Sequence, residues 1–170
     1  MRALKESGKG TYILILRLGK PAQMQIGKLG AFEFNPGFYV YVGSAFGPGG
    51  LVSRVERHRK VNKTCHWHID YLRRRCRLTA IWYMVSSIRR EHDWARVLAE
   101  KKGASISVPG FGSSDCRCPS HLVFFESAPA LAVFKIKLDS LFPDDPVVHG
   151  ISGIKNYVGR RSKTKQEAFV

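Results

Sequence analysis

No run of about 18 apolar residues occurs in this chain, so the sequence offers no helix able to span a bilayer. Its first residues, Met1 to Lys9, have no apolar core of the kind a secretory signal carries, and a cytoplasmic protein with no membrane association is expected. Cysteine is scarce: Cys65, Cys76, Cys116 and Cys118 are too few and too unevenly spaced for a secreted disulfide framework. Reduced thiols or a metal site fit them better. Acidic residues are scarce as well, 13 against 28 lysines and arginines, for a formal charge of +15. Such an excess is either compensated by a partner or tolerated as self-repulsion, and a polyanion is the commonest partner of a small basic domain. No internal repeat is found.

Hydrophobic residues make up 44% of the 170, an ordinary share, and the length suits one core with extensions rather than two full domains. Thr11 to Leu18 is nearly continuous in apolar, β-rich sequence and predicts a buried strand, ended by the turn Gly19-Lys20-Pro21. A short strand is expected over Gln23 to Lys28. After the turn Asn35-Pro36-Gly37, Phe38 to Gly43 predicts a second main strand, and these elements are read as an antiparallel meander. Leu51, Val52 and Val55 open a helix that carries Arg54 and His58 one turn apart at the edge of its apolar stripe. Further helices are predicted over Trp67 to Arg75 and Glu91 to Lys102, with strands over Leu78 to Val85 and Leu122 to Phe125. Leu131, Phe134, Leu138 and Leu141 recur at helical spacing. The organisation expected is an N-terminal extension (1–9), a domain (10–126), a helical extension packed on it (127–149) and a basic, flexible tail (150–170). The fold class is α/β in the α+β sense: a small central antiparallel sheet of three or more strands flanked by helices.

Cutting a phosphodiester asks for a base to activate water, a cation to stabilise charge on phosphorus and a hard metal at the phosphate. Tyr12 and Tyr41, each on a predicted strand, together with Arg54 and a carboxylate, can meet that demand. A tyrosine near its ordinary pKa is a poor base, so neighbouring cations or the metal must acidify it. Otherwise both rings are packing residues. Arg54 has the forked donors to clamp a phosphate, and His58 could bind phosphate or protonate the leaving oxygen. Glu91 shares a helical face with Trp94 and Leu98; a carboxylate opening the buried side of a helix is costly unless a cation compensates it. The alternative is an acid serving the helix dipole, or pairing with Arg89 or Arg90.

Gly10-Thr11-Tyr12, then Tyr41-Val42-Gly43-Ser44-Ala45, then Arg54-Val55-Glu56-Arg57-His58, resemble the GIY-YIG nuclease superfamily, with threonine and valine each replacing an isoleucine. Trp67-His68-Ile69-Asp70-Tyr71-Leu72 and Gly110-Phe111-Gly112-Ser113-Ser114-Asp115-Cys116-Arg117-Cys118, followed by Ser120-His121-Leu122, are similar to a branch whose members are sometimes fused to archaeal endonuclease III-type glycosylases. The resemblance covers residues 10 to 126. It implies a metal-dependent DNA endonuclease, in which Tyr12 or Tyr41 activates water, Arg54 and His58 act at the phosphate, and Glu91 holds one Mg²⁺ or Mn²⁺. It also implies substrate contacts from Gly43, Ser44, Arg57, His68, Ser114 and Asp115, a role in repair or recombination, and by analogy a base-excision glycosylase as protein partner. This chain has His92 where branch members often carry cysteine, and Ser44 where excision-repair relatives often have lysine. A catalytically silent nucleic-acid-binding module and an RNA-directed nuclease are the alternative readings.

Cys116, Cys118 and His121 form a Cys-Xaa-Cys-Xaa2-His cluster that could bind a structural zinc, with Cys65, His66 or His68 as a fourth ligand. The spacing is tighter than a usual zinc knuckle, which favours the alternative of buried thiols and a loop-ordering histidine.

Overall fold

The structure, a computed structural model, describes residues 8–154. Strand β1 (Gly10–Leu18) is buried along nearly its whole length, as its unbroken apolar sequence requires of a strand covered on both faces. It is the centre of a five-stranded antiparallel sheet. β4 (Gly37–Ser44) lies on one side of it and β5 (Arg77–Val85) on the other; β6 (Leu122–Phe125) and β7 (His149–Ser152) form the edges, in the order β6-β4-β1-β5-β7. This is not the simple meander expected, because β2 (Ala22–Gln25) and β3 (Ala31–Phe34) leave the sheet as a separate hairpin. The predicted strand over Gln23 to Lys28 stops early, at a turn of 3₁₀ helix over Gly27–Leu29. Met24, Ile26 and Phe34 of the hairpin region face the core.

Side-chain alternation divides the core in two. Tyr12, Leu14 and Leu16 face helices α1 (Gly50–Arg59) and α2 (His68–Arg73), packing with Leu51, Val55, Ile69 and Leu72. Ile13 and Ile15 face α3 (Glu91–Ala99) and α4 (Leu131–Leu141), packing with Trp94, Leu98, Phe134 and Leu138. The result is an α+β domain with helices on both faces of the sheet. In β5 the register shifts opposite Ile15/Leu16, where Thr79 donates its hydroxyl to the Ile15 carbonyl at 2.9 Å. That bulge changes the parity of the strand, so that Leu78 and Ile81 face the same cluster despite their odd separation.

α4 packs through Phe134, whose ring lies 5.4 Å from both Trp82 and Trp94, while Leu141 is exposed rather than part of the expected apolar stripe. The segment from 150 onward begins as structure, not as a tail. His149–Ser152 pairs with β5 from Tyr83 to Ala80, where the open edge of that strand supplies backbone partners. Residues 155–170, where most of the expected basic tail falls, lie outside the described residues, as do residues 1–7. Among the described residues no helix is long and apolar enough to cross a membrane.

Candidate active site

Antiparallel register brings the two tyrosines to one face. Tyr12 pairs with Gly43 and Leu14 with Tyr41, which leaves the two tyrosine rings 6.5 Å apart. The Tyr12 ring crosses its partner strand so closely that a Cβ on Gly43 would lie 2.5 Å from the tyrosine hydroxyl. Gly43 therefore makes room for Tyr12, and it does not reach the neighbouring cleft as the expected substrate contact.

Behind Tyr12 lies His58, its Nε2 2.8 Å from the tyrosine hydroxyl. His58 is 1% exposed, on the sheet side of its helix as its place at the edge of the apolar stripe implies, and it meets Tyr12 rather than the cleft, so the expected direct contact with phosphate or leaving oxygen is corrected to a contact with the tyrosine. Burial, with help from the Lys63 charge, pushes its pKa down to about 3, and the imidazole is neutral at physiological pH. Because the unfolded histidine titrates near 6.5, folding is fully supported above that pH, and stability is lost as pH falls towards the folded value. Urea titrations at stepped pH should show stability falling below pH 6.5, and His58→Gln should flatten that slope, most clearly above the carboxylate range. An unchanged slope would place the proton elsewhere.

A cleft of about 400 Å³ opens beside the tyrosines. It gathers Tyr12, Tyr41 and Ser44 from the sheet, Arg54, His68 and Glu91 from three helices, and Ser114 and Asp115 from the loop before β6. Burial raises both tyrosine hydroxyls above their ordinary pKa; Tyr41 adds to this at Tyr12, Glu91 adds to it at Tyr41, and Arg54 opposes it at both without prevailing. The expected acidification by Arg54 is thus outweighed among the chain's own groups.

Arg54 lies with its guanidinium carbon 4.3 Å from the centre of the Trp67 ring, and among the described residues no carboxylate forms an ion pair with it. Arg57 covers the same ring at 4.5 Å but is otherwise engaged: it donates to Asp70 at 2.6 Å and to the Thr64 carbonyl at 3.3 Å. It does not line the cleft, which corrects its assignment as a substrate contact. Asp70 is fully buried and also pairs with Lys63 at 2.7 Å while accepting from the backbone of His66 and Trp67, so it orients the Trp67 turn rather than His68. Burial would raise its pKa, but Lys63 and the backbone donors hold it below the ordinary value.

His68 accepts a hydrogen bond at Nδ1 from the Gly112 backbone at 3.0 Å, which puts the proton of the neutral ring on Nε2. Burial lowers its pKa and keeps the ring neutral. Gly112 has φ +72° and sits against the Tyr41 ring, where a Cβ would come within 2.9 Å. Only glycine lets the loop close over both rings there.

Glu91 is the first residue of α3, and the start of that helix is tied to the central strand: Thr11 accepts at Oγ1 from the Arg90 N–H at 3.1 Å. Nothing in the local pattern signals this role for Thr11, since a threonine on a buried strand reads as ordinary β-branched packing. Arg90 turns to Asp145, at 2.8 and 3.1 Å, and to Asp93, while Arg89 lies over Phe46 at 4.6 Å. Neither arginine neutralises Glu91. Burial would raise the Glu91 pKa, but His121, Ser44 and His92 more than offset it, so the carboxylate is held below its ordinary range. The His121 contact runs from Nδ1 to Oε1 at 3.3 Å and is electrostatic rather than a well-directed hydrogen bond. Trp67, Arg89 and His92 also line the cleft although no motif singled out their side chains as contacts.

His121 is not part of the tightest group of metal-binding atoms near the loop. Cys116 and Cys118 instead gather with His92, all donor atoms within 4.8 Å of one another, while His121 Nε2 lies 3.4 Å from Cys116 Sγ. The expected Cys116, Cys118, His121 cluster thus gains His92, which α3 delivers from a distant part of the sequence, while His121 reaches it through Cys116. Cys65, His66 and His68 are not in the group.

No curated protein and no solved structure matches the chain. A family model described as a domain of unknown function, DUF123, matches residues 11–140, well over half of the sequence and nearly all of the sheet and cleft just described. The chain belongs to the DUF123 family.

Proposed function

We propose that this protein is a GIY-YIG-type endonuclease that hydrolyses phosphodiester bonds of DNA using one Mg²⁺ or Mn²⁺. The observation that carries the reading is the convergence of Tyr12, Tyr41, Arg54 and Glu91, from two strands and two helices, on one cleft of a chain with a charge of +15. Glu91 fits a hard cation: its carboxylate is ionised and has no lysine or arginine partner among the described residues. A divalent ion, when bound, supplies Lewis-acid neutralisation of charge at the phosphate and lowers the pKa of nearby hydroxyls and water. Arg54 holds the phosphate and stabilises its developing charge. Tyr12, in the ionised form that a bound cation and Arg54 would favour, takes the proton from water, and His58 holds its hydroxyl from behind at 2.8 Å. His68 Nε2–H, Ser114 and Asp115 orient the strand in the cleft.

Action in the cytoplasm on branched or damaged DNA, beside a base-excision glycosylase, is the setting that the resemblance suggests. The burial that raises both tyrosines favours one rival, a module that binds nucleic acid without cutting it. Nicking of supercoiled plasmid separates the two. Nicks are expected with Mg²⁺ or Mn²⁺ and not with chelator, and Arg54→Ala should remove them while duplex binding persists. Wild type that cuts no better than Arg54→Ala, with equal binding, would sink the nuclease reading and leave the binding module.

A further inference from the structure

Between the end of α3 at Ala99 and the start of β6 at Leu122 the chain runs without a helix or strand. A segment of that length without secondary structure is uncommon inside a packed domain and is usually functional where it is ordered. Two soft ligands sit in it, Cys116 and Cys118, both partly buried and both reduced. The first turn of α3 brings His92 to them, so that the three donor atoms lie within 4.8 Å of one another. His121, at the end of the segment, places Nε2 3.4 Å from Cys116 Sγ. That separation is close to the edge of a tetrahedron built from Zn–S and Zn–N bonds of about 2.3 and 2.0 Å. The other nitrogen of His121 has no hydrogen-bond partner among the described residues, yet it lies 3.3 Å from the Glu91 carboxylate. A carboxylate behind the far nitrogen is the arrangement that fixes metal-bound histidines.

We propose that His92, Cys116, Cys118 and His121 form a zinc site that pins the loop of residues 100–121 to the start of α3. Two thiolates and two imidazoles make a closed structural set, with no position for a reacting water. The ion would sit beside the cleft but separate from the hard-cation position at Glu91, and the proposal stands whether or not the chain cuts DNA. Its occupant would hold His92, and so the neighbouring Glu91, against the loop that carries Ser114 and Asp115.

The test uses the full chain, purified without chelator and then stripped and titrated with Co²⁺. One zinc per chain is expected as purified. Cobalt should give the visible bands of a tetrahedral centre, together with thiolate-to-metal charge transfer, and Zn²⁺ should bleach both. His92 is exposed, so His92→Ala should fold as wild type yet bind cobalt at least about tenfold more weakly. Cys118→Ser should lose part of the charge-transfer band, and Cys65→Ser should keep the whole spectrum. A folded, zinc-free chain with an octahedral cobalt spectrum would overturn the proposal. So would a Cys116–Cys118 disulfide in the purified protein, or a His92→Ala spectrum and affinity equal to wild type.

Discussion

Glu91→Gln should abolish metal-dependent nicking, by on the order of 10³-fold, while leaving duplex affinity and thermal stability close to wild type. Glutamine keeps the volume and the hydrogen-bonding reach towards Ser44 and His121 but removes the charge that those groups hold in place. The comparison is sharp because neither flanking arginine depends on Glu91: Arg90 is bound to Asp145 and Asp93, and Arg89 lies on Phe46. Loss of the carboxylate therefore frees no cation to disturb the cleft. Nicking rates across a Mn²⁺ titration are the measurement. If Glu91→Gln cuts at the wild-type rate at every metal concentration, Glu91 is not the ligand, and the carboxylate belongs to the fold alone.

The largest effect on stability is expected at Asp70. This carboxylate is fully buried, with Arg57 at 2.6 Å, Lys63 at 2.7 Å and two backbone N–H donors converging on it. Deleting one member of a buried ionic cluster leaves the others desolvated and unpaired, so Asp70→Ala should cost about 3–5 kcal/mol. In urea this is a midpoint shift of more than roughly 1 M at an ordinary m value. The pH behaviour follows from the lowered folded pKa: the contribution is complete above the unfolded value of 3.8 and is lost as pH falls through the folded value. Wild type and Asp70→Ala should accordingly approach each other in strong acid. A loss below about 1 kcal/mol at neutral pH would mean that solvent screens the cluster as it does a surface pair.

Much of this architecture is written in local sequence. The apolar run Thr11 to Leu18 has one reading, a strand buried on both faces, and the Leu51/Val55 and Trp94/Leu98 periodicities assign α1 and α3 to a core. What local pattern cannot carry is parity and pairing. The bulge at Thr79 is invisible in a strand read by alternation, and β7 was hidden because His149–Ser152 has little apolar character and gains its place from the open edge of β5. The site shows the same division. Tyr12, Tyr41, Arg54 and Glu91 were legible as a set, and the structure brings them to one cleft. The stripe places His58 on the sheet side of its helix, but not what it meets there: tertiary packing puts Tyr12 and Trp67 around it, between the imidazole and the cleft. The partnership of His92 with the cysteines spans more than twenty residues, so no local spacing reveals it.

The bond from Thr11 to the start of α3 bears on the order in which the chain matures. Tyr12 precedes its partners along the chain: they arrive with β4, α1 and finally α3, about eighty residues later. Helices α1 and α2 can cover their face of the sheet while the other face is still bare. Until α3 docks on Thr11, the tyrosines and Arg54 stand without Glu91. A partly made chain therefore carries its excess of positive charge but an incomplete cleft, and whatever chemistry the cleft performs is acquired only after α3 has docked.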